Sequence, residues 1–196
     1  MKKTKDVLIL CQFFYPEYIS SATLPFDTAK YLSQKGYKVG ALCGYPKEYW
    51  NGSAVPKKET VEGVEINRIS YAQPDRKSVV GRIVNYFSFV LSLFFHMKVA
   101  KEYRTILFYS NPPLLPMIAL WCKKLYKCKI AYISYDVYPE LAIKANMLSE
   151  KGMGARFFHS LNKKVIKKTD KIVALSTDME KFFVEKRMAD KEKVCT

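Results

Sequence analysis

Residues 6–44, DVLILCQFFYPEYISSATLPFDTAKYLSQKGYKVGALCG, hold the reading that decides the fold. Residues 6–13 form an apolar run too short for a globular helix, which reads as a strand covered on both faces in a parallel sheet. A loop follows over 14–20. A helix is then predicted from near Ser21, with Pro25 in its first turn and Phe26, Ala29 and Leu32 at helical spacing. Gly36 stops that helix, and residues 37–43 are the second strand. The segment is a βαβ unit.

Working outward, the alternation continues. Strands are predicted over 64–70, 105–109, 129–135 and 171–175, and helices over 78–103, 114–126, 153–168 and 177–186. The expected architecture is α/β: a single Rossmann-like three-layer domain over 1–196, with a mostly parallel sheet of six to seven strands and helices on both faces. Ligands of such sheets bind beyond the carboxyl ends of the strands. That singles out the loops 14–20, 44–62, 110–113 and 136–140.

Composition narrows the classes. About half the residues are apolar, enough for a substantial core. The five cysteines are odd in number and lack the close spacings of zinc or thioredoxin sites, so neither a disulfide framework nor a metal cluster is indicated. His96 and His159, the only histidines, are too sparse for a metal site, and no metal is expected. Met1-Lys2-Lys3 leads almost directly into a strand without the apolar stretch of a signal peptide, which predicts a cytoplasmic chain. The net charge of +15 implies an anionic partner. The basic residues are scattered and no nucleic-acid recognition motif accompanies them, so nucleic acid is not the expected partner.

Several loop residues could carry chemistry. The loop through Glu17 ends at Ser20 and Ser21, where free amides and the positive end of a helix dipole suit a phosphate; on the plainer reading either serine is simply the N-cap. Asp136-Val137-Tyr138-Pro139-Glu140 brings two carboxylates and a tyrosine to the end of the fifth predicted strand. A carboxylate there could orient a sugar hydroxyl or take its proton, whereas the plainer reading is a capping Asp with a first-turn Glu. Tyr45, Tyr49 and Trp50 make the loop 45–52 aromatic-rich, which suits stacking on sugar rings and equally an ordinary packed loop. No G-x-G-x-x-G follows the first strand and there is no P-loop, which disfavours a dinucleotide-binding dehydrogenase.

The helix predicted over 78–103 is the most apolar segment. Between Ile83 and Phe95 its only polar residues are Asn85, Ser88 and Ser92, which with His96 form one narrow stripe. The run is too short for a transmembrane span of about 20 residues. Two alternatives stay open: a core helix, or a surface helix that dips into lipid through Phe87, Leu91 and Phe94, with Arg76, Lys77 and Arg82 among its basic flanks.

Five pieces, in order along the chain, resemble the N-terminal half of family-4 retaining glycosyltransferases, in particular the branch that builds bacterial capsule, O-antigen and exopolysaccharide units. Phe14-Tyr15-Pro16-Glu17 is similar to that family's aromatic-x-Pro-Glu segment. Tyr45-Pro46 through Asn51-Gly52 resembles its loop after the second strand, and Ser110-Asn111-Pro112-Pro113-Leu114 its Ser-Pro-Pro-Leu turn. Asp136-Val137-Tyr138-Pro139-Glu140 is similar to its Asp-Leu-Trp-Pro-Glu, and residues 170–176 to its Ala-Asp-x-Ile-Val-Ala-Leu-Ser strand. Where the family usually has glycines after the Pro-Glu, this chain has Ser20-Ser21.

The resemblance implies a GT-B fold, in which two Rossmann-like domains face each other across a cleft. The acceptor is held mainly by the first domain and the sugar nucleotide mainly by the second, a C-terminal donor-binding domain expected to be missing from this chain. That domain's Glu-x7-Glu motif does not occur here, and neither does an Asp-x-Asp. The implied reaction moves a sugar, with retention, from a nucleotide sugar to a polyprenyl-diphosphate-linked acceptor at an anionic membrane surface, on the inner face of the cytoplasmic membrane and without a cofactor. Under it Asp136 is the candidate catalytic residue. Glu17, Tyr45, Tyr49, Asn111, Tyr138 and Glu140 hold the acceptor, and Ser20 and Ser21 face the donor phosphates. The alternative is a non-catalytic, acceptor-binding and membrane-docking subunit of a split glycosyltransferase.

Overall fold

The computed structural model describes residues 3–47, 49–75, 78–146 and 148–196. Arg76 and Lys77, two of the candidate membrane contacts, lie outside the described residues. The fold is one eight-stranded sheet flanked by helices. Its strands are β1 (Lys5–Leu10), β2 (Val39–Gly44), β3 (Lys58–Val61), β4 (Val64–Ile69), β5 (Tyr103–Tyr109), β6 (Lys129–Ser134), β7 (Lys171–Ala174) and β8 (Val194–Cys195). They lie in the order β3-β4-β2-β1-β5-β6-β7-β8. Every neighbouring pair is parallel except β3 with β4. The helices are α1 (Ser20–Gln34), α2 (Val79–His96), α3 (Leu115–Tyr126), α4 (Glu140–Lys144), α5 (Met153–Lys168) and α6 (Thr177–Lys181).

All six predicted strands are present, and the sheet gains β3 and β8. The hairpin strand β3 reads Lys-Glu-Thr-Val, too charged to look like a strand, and forms because it is an edge. Glu62 and Gly63 both take positive φ, 51° and 77°, in a two-residue hairpin turn that pairs it with β4. The first strand ends at Leu10 rather than at residue 13. Cys11, Gln12, Phe13 and Phe14 stay buried because the chain dives under its own loop, so the apolar run outlasts the strand.

Two expectations about helix ends need correction. The N-cap of α1 is Ile19, with Ser20 and Ser21 as the first helical residues, so neither serine caps. With the helix starting there, Pro25 falls past the first turn; it is buried and cannot donate to the Ser21 carbonyl. The N-cap of α4 is Pro139, so Asp136 does not cap it either. By contrast, the Ser78 hydroxyl accepts from the Gly81 amide at 2.9 Å and caps α2.

The two sheet faces carry separate cores. On one, Phe89 and Leu93 of α2, Leu115 and Ile118 of α3, Leu161 and Val165 of α5, and Phe183 pack on Leu8, Phe108, Ile130 and Ile172. On the other, Ala29 of α1, with Phe26 and Leu32 at its edge, packs on Ile9, Ala41 and Ile66. Of the polar stripe of α2, Asn85, Ser88 and Ser92 face inward, while His96 is exposed. Asn85 is buried, the Ser88 hydroxyl donates to the Ala72 carbonyl at 3.1 Å, and that of Ser92 to the Ser70 carbonyl at 2.7 Å. The helix is therefore held on the sheet by its polar stripe as well as by Phe89 and Leu93, and its remaining aromatic face is turned out. After His96 the chain tightens into a 3-10 turn, Met97–Glu102, and β5 begins at Tyr103, two residues earlier than predicted.

Candidate functional site

A parallel sheet puts the carboxyl ends of its strands on one rim. The described parts of the loops after β1, β2, β4, β5 and β6 (11–19, 45–47 with 49–57, 70–75, 110–114 and 135–139) therefore meet there, as the sequence predicted for four of them. From β1 the chain moves one way, to β2 and then β4, and after α2 it returns to β5 on the other side of β1. The topological switch point, where such sheets open a crevice, lies between the ends of β1 and β5.

Hydrogen bonds lace the rim. The Gln12 carbonyl accepts from the Gly44 amide at 3.0 Å, and the Ile69 carbonyl from the Tyr45 amide at 3.2 Å. Gln73 donates through Nε2 to the Tyr45 carbonyl at 2.7 Å. Tyr49 stands edge-on to Phe13, ring centroids 5.7 Å apart, and its carbonyl accepts from the Tyr18 amide at 3.4 Å. The buried Ser110 hydroxyl accepts from the amides of Tyr135 and Asp136, at 3.0 and 2.9 Å, and pins the β6 loop against the end of β5. The three cis peptide bonds among the described residues, before Pro16, Pro112 and Pro139, all lie in these rim loops.

Asp136 is half-buried, and among the described residues nothing donates to its carboxylate. Burial lifts its pKa above the ordinary carboxylate value, which favours the proton-bound form. Tyr132, at the end of the same strand, is pushed up to about 12 by burial and stays a neutral phenol. Two amide oxygens at the switch point, Gln12 Oε1 and Asn111 Oδ1, are buried without a hydrogen-bond partner among the described residues. An unpaired buried acceptor costs about 1–3 kcal/mol, a cost that a donor reaching either oxygen relieves. The amides of Ser20 and Ser21, at the start of α1, likewise have no acceptor among the described residues. The site thus combines one desolvated carboxylate, two unsatisfied acceptors suited to hydroxyl donors, and amides suited to an anion.

The remaining candidates are placed differently. Glu17 lies in the β1 loop and is buried, with its charge close enough to Cys11 and Cys43 to raise both thiols further. Glu140 forms an ion pair with Arg187, whose Nη2 is 2.5 Å from each of its oxygens; the Tyr138 carbonyl accepts from the same nitrogen at 3.1 Å. Glu140 is thereby tied to Arg187, whereas Tyr138 stays close to Asp136 and Tyr132: burial raises its phenol's pKa first, and those neighbours raise it further. Arg82 is half-buried. Phe87, Leu91 and Phe94 are 60%, 59% and 38% exposed, which leaves the outer face of α2 open rather than in the core of this domain.

The sequence reading did not single out Arg68, Gln12 or Arg187. Arg68 is fully buried at the end of β4, pairs with Glu59 at 2.5 Å and donates to the carbonyls of Tyr15 and Pro56, both at 2.9 Å, so it braces the first rim loop. A signal was present for Gln12, a lone glutamine in the apolar run 7–14, whereas Arg68 shares β4 with Glu65 and Asn67 and does not stand out.

The sequence matches no protein-family model and no curated protein. The fold is nevertheless shared with solved structures. HepE from Anabaena, crystallised with UDP and glucose, aligns at a TM-score of 0.56 with 13% identity over 97% of this chain. The same protein in complex with UDP-glucose aligns at 0.54 with 14% identity. Sucrose-phosphate synthase from Thermosynechococcus elongatus aligns at 0.57 with 11% identity over 92% of this chain and 81% of its own. The present chain spans 43% of the HepE chain. At these identities the likeness shows the fold, a Rossmann-like domain of mostly parallel sheet.

Proposed function

We propose that this chain is the acceptor-side half of a glycosyltransferase that moves a sugar from a nucleotide sugar to a lipid-linked, polyprenyl-diphosphate acceptor at the inner face of the cytoplasmic membrane. The observation that carries the reading is the switch-point rim, where Asp136, Gln12 Oε1 and Asn111 Oδ1 offer three acceptors to a polyhydroxylated ligand. The shared fold with proteins crystallised with UDP, glucose and UDP-glucose supports sugar transfer in general. The motif resemblance supports the finer statement of a family-4 retaining enzyme of capsule, O-antigen or exopolysaccharide synthesis. Its donor-binding partner would be a C-terminal domain facing this rim, and no cofactor is required.

In this reading Asp136 accepts from, and orients, the attacking acceptor hydroxyl. Gln12 and Asn111 hold neighbouring hydroxyls, Tyr45 and Tyr49 flank the sugar, and the Ser20 and Ser21 amides face the donor's phosphates. Positioning and electrostatic stabilisation of the leaving phosphate supply most of the rate. The open apolar face of α2 supports docking on lipid, where the acceptor resides. It presents Ile83, Phe87, Leu91 and Phe95, each 48% exposed or more.

The test is chemical-shift mapping of this chain with a short-chain polyprenyl-diphosphate sugar. Shifts concentrated in 12–21, 45–51, 110–113 and 135–138 support the reading, and shifts confined to the opposite, amino-terminal edge of the sheet overturn it.

A further inference from the structure

Beside the switch-point rim rather than in it, between α5 and residues 186–193, lies a hollow of about 610 Å³. Lys163, Lys167, Lys186, Arg187 and Lys193 line it over an apolar floor, and its single carboxylate is Asp190. Asp190 is turned to its own chain, accepting from the Glu192 amide at 3.2 Å. Arg187 is shared with Glu140, but among the described residues the four lysines have no carboxylate within ion-pair distance. Like charges gathered in a concavity repel one another and focus a positive potential, a cost that an anion relieves. Ammonium groups on flexible stems are point-charge donors suited to phosphate. The volume falls in the usual range for a small-molecule site, about 300–1,000 Å³, and exceeds what one inorganic phosphate fills.

Its position selects the source of the phosphate. The α5 helix packs beside α3, and α3 beside α2, on one side of the sheet. Across that same helical layer the exposed apolar residues of α2 continue into Trp121 and Leu125 of α3 and Phe157 of α5. Phe94 joins the first two helices by an edge contact with Trp121, centroids 5.1 Å apart. A layer resting on lipid through α2 and α3 brings the hollow to headgroup level.

We propose that the hollow binds the phosphate of an anionic lipid headgroup and sets how the domain sits on the membrane. This rests on the membrane-docking part of the function proposed above. The test compares flotation of the chain with phosphatidylcholine vesicles and with vesicles containing phosphatidylglycerol. Wild type binds both, and the anionic ones roughly tenfold or more tightly. The triple variant Lys163→Gln, Lys167→Gln, Lys193→Gln loses that preference but keeps its binding to phosphatidylcholine. A triple Lys→Gln variant on the α1 side, at Lys30, Lys35 and Lys38, keeps most of it. Retention of the full preference by the hollow variant, or an equal loss in the α1-side control, overturns the site. Tight binding of inorganic pyrophosphate with no vesicle preference also overturns it, in favour of a soluble ligand. Failure of the docking reading is separately visible: Phe87→Ser with Leu91→Ser then leaves phosphatidylcholine binding unchanged. Should the glutamine variant fold poorly by thermal melting, the charge-keeping Lys→Arg triple variant serves instead; it retains the preference if the site is real and loses it if packing alone mattered.

Discussion

Gln12, two residues past the end of β1, donates through Nε2 to Asn85 Oδ1 in the middle of α2, at 2.6 Å, and each residue is only 2% exposed. This one bond joins the two features on which the function depends. It holds Gln12 at the switch point with its other amide atom, Oε1, still unpaired. It also fixes the rotation of α2 so that the aromatic residues face outward.

Replacing Asn85 by Leu leaves a buried amide donor unpaired on Gln12 and is expected to cost about 1–3 kcal/mol of stability. Urea denaturation measures it. The double replacement Gln12→Leu with Asn85→Leu should recover part of the loss, since an apolar pair is cheaper than a half-made polar one. A single variant as stable as wild type would show that the bond does not orient the helix.

Arg68 braces the first rim loop from a site without solvent. Arg68→Met strands Glu59 and frees the carbonyls of Tyr15 and Pro56, for an expected loss of about 3–5 kcal/mol by the same measurement. Arg68→Lys keeps the charge but lacks the fork that reaches several acceptors, and should recover only a fraction. A loss below about 1 kcal/mol for the methionine variant would remove Arg68 from the account.

Two aspartates should respond to acid with opposite sign. Burial works against the charged form of Asp170, but the hydrogen bonds from Lys123 Nζ and the Ile130 amide outweigh it and hold its pKa below the ordinary carboxylate value. Around that range the unfolded chain binds the proton more readily, so the contribution of Asp170 is complete above it and disappears as pH falls through it. Asp136 is shifted the other way by burial. Its ionisation costs stability at neutral pH, and the cost vanishes on acidification. Thermal melts from neutral pH down through the carboxylate range should therefore show Asp170→Asn destabilised at neutral pH and converging on wild type in acid. Asp136→Asn should be level or more stable at neutral pH, with the gain lost in acid.

Phe87, Leu91 and Phe95 are 60%, 59% and 72% exposed, so their burial contributes little to the fold. Serine at all three positions should change the unfolding midpoint little while reducing binding to phosphatidylcholine vesicles by roughly tenfold or more, as expected for lost apolar burial. Unchanged vesicle binding would show that the face meets something other than lipid.

The rim was legible because parallel strands buried on both faces advertise themselves as short apolar runs, and their direction alone sends the loops to one edge. The charged edge strand β3 was not, since its pairing rests on the turn at Glu62-Gly63 rather than on any apolar pattern. Side-chain partners were not legible either. Gln12 with Asn85, Arg68 with the Tyr15 carbonyl, and Glu140 with Arg187 meet across long stretches of chain, and nothing local marks one as belonging to the other. Asp170 shows the converse. Part of a motif that resembles a glycosyltransferase segment, it serves here as a clip between β6, β7 and Lys123, at the edge opposite the rim.

The central claim is that the switch-point rim holds the sugar of a lipid-linked acceptor with Asp136 among its ligands. Calorimetric titration of the chain with a polyprenyl-diphosphate sugar in detergent tests it most directly. The expected result is saturable binding that Asp136→Asn weakens by roughly tenfold at an unfolding midpoint no lower than that of wild type, with free sugar nucleotide binding only weakly. Equal affinity in the variant, or tight binding of the sugar nucleotide and none of the acceptor, would contradict it.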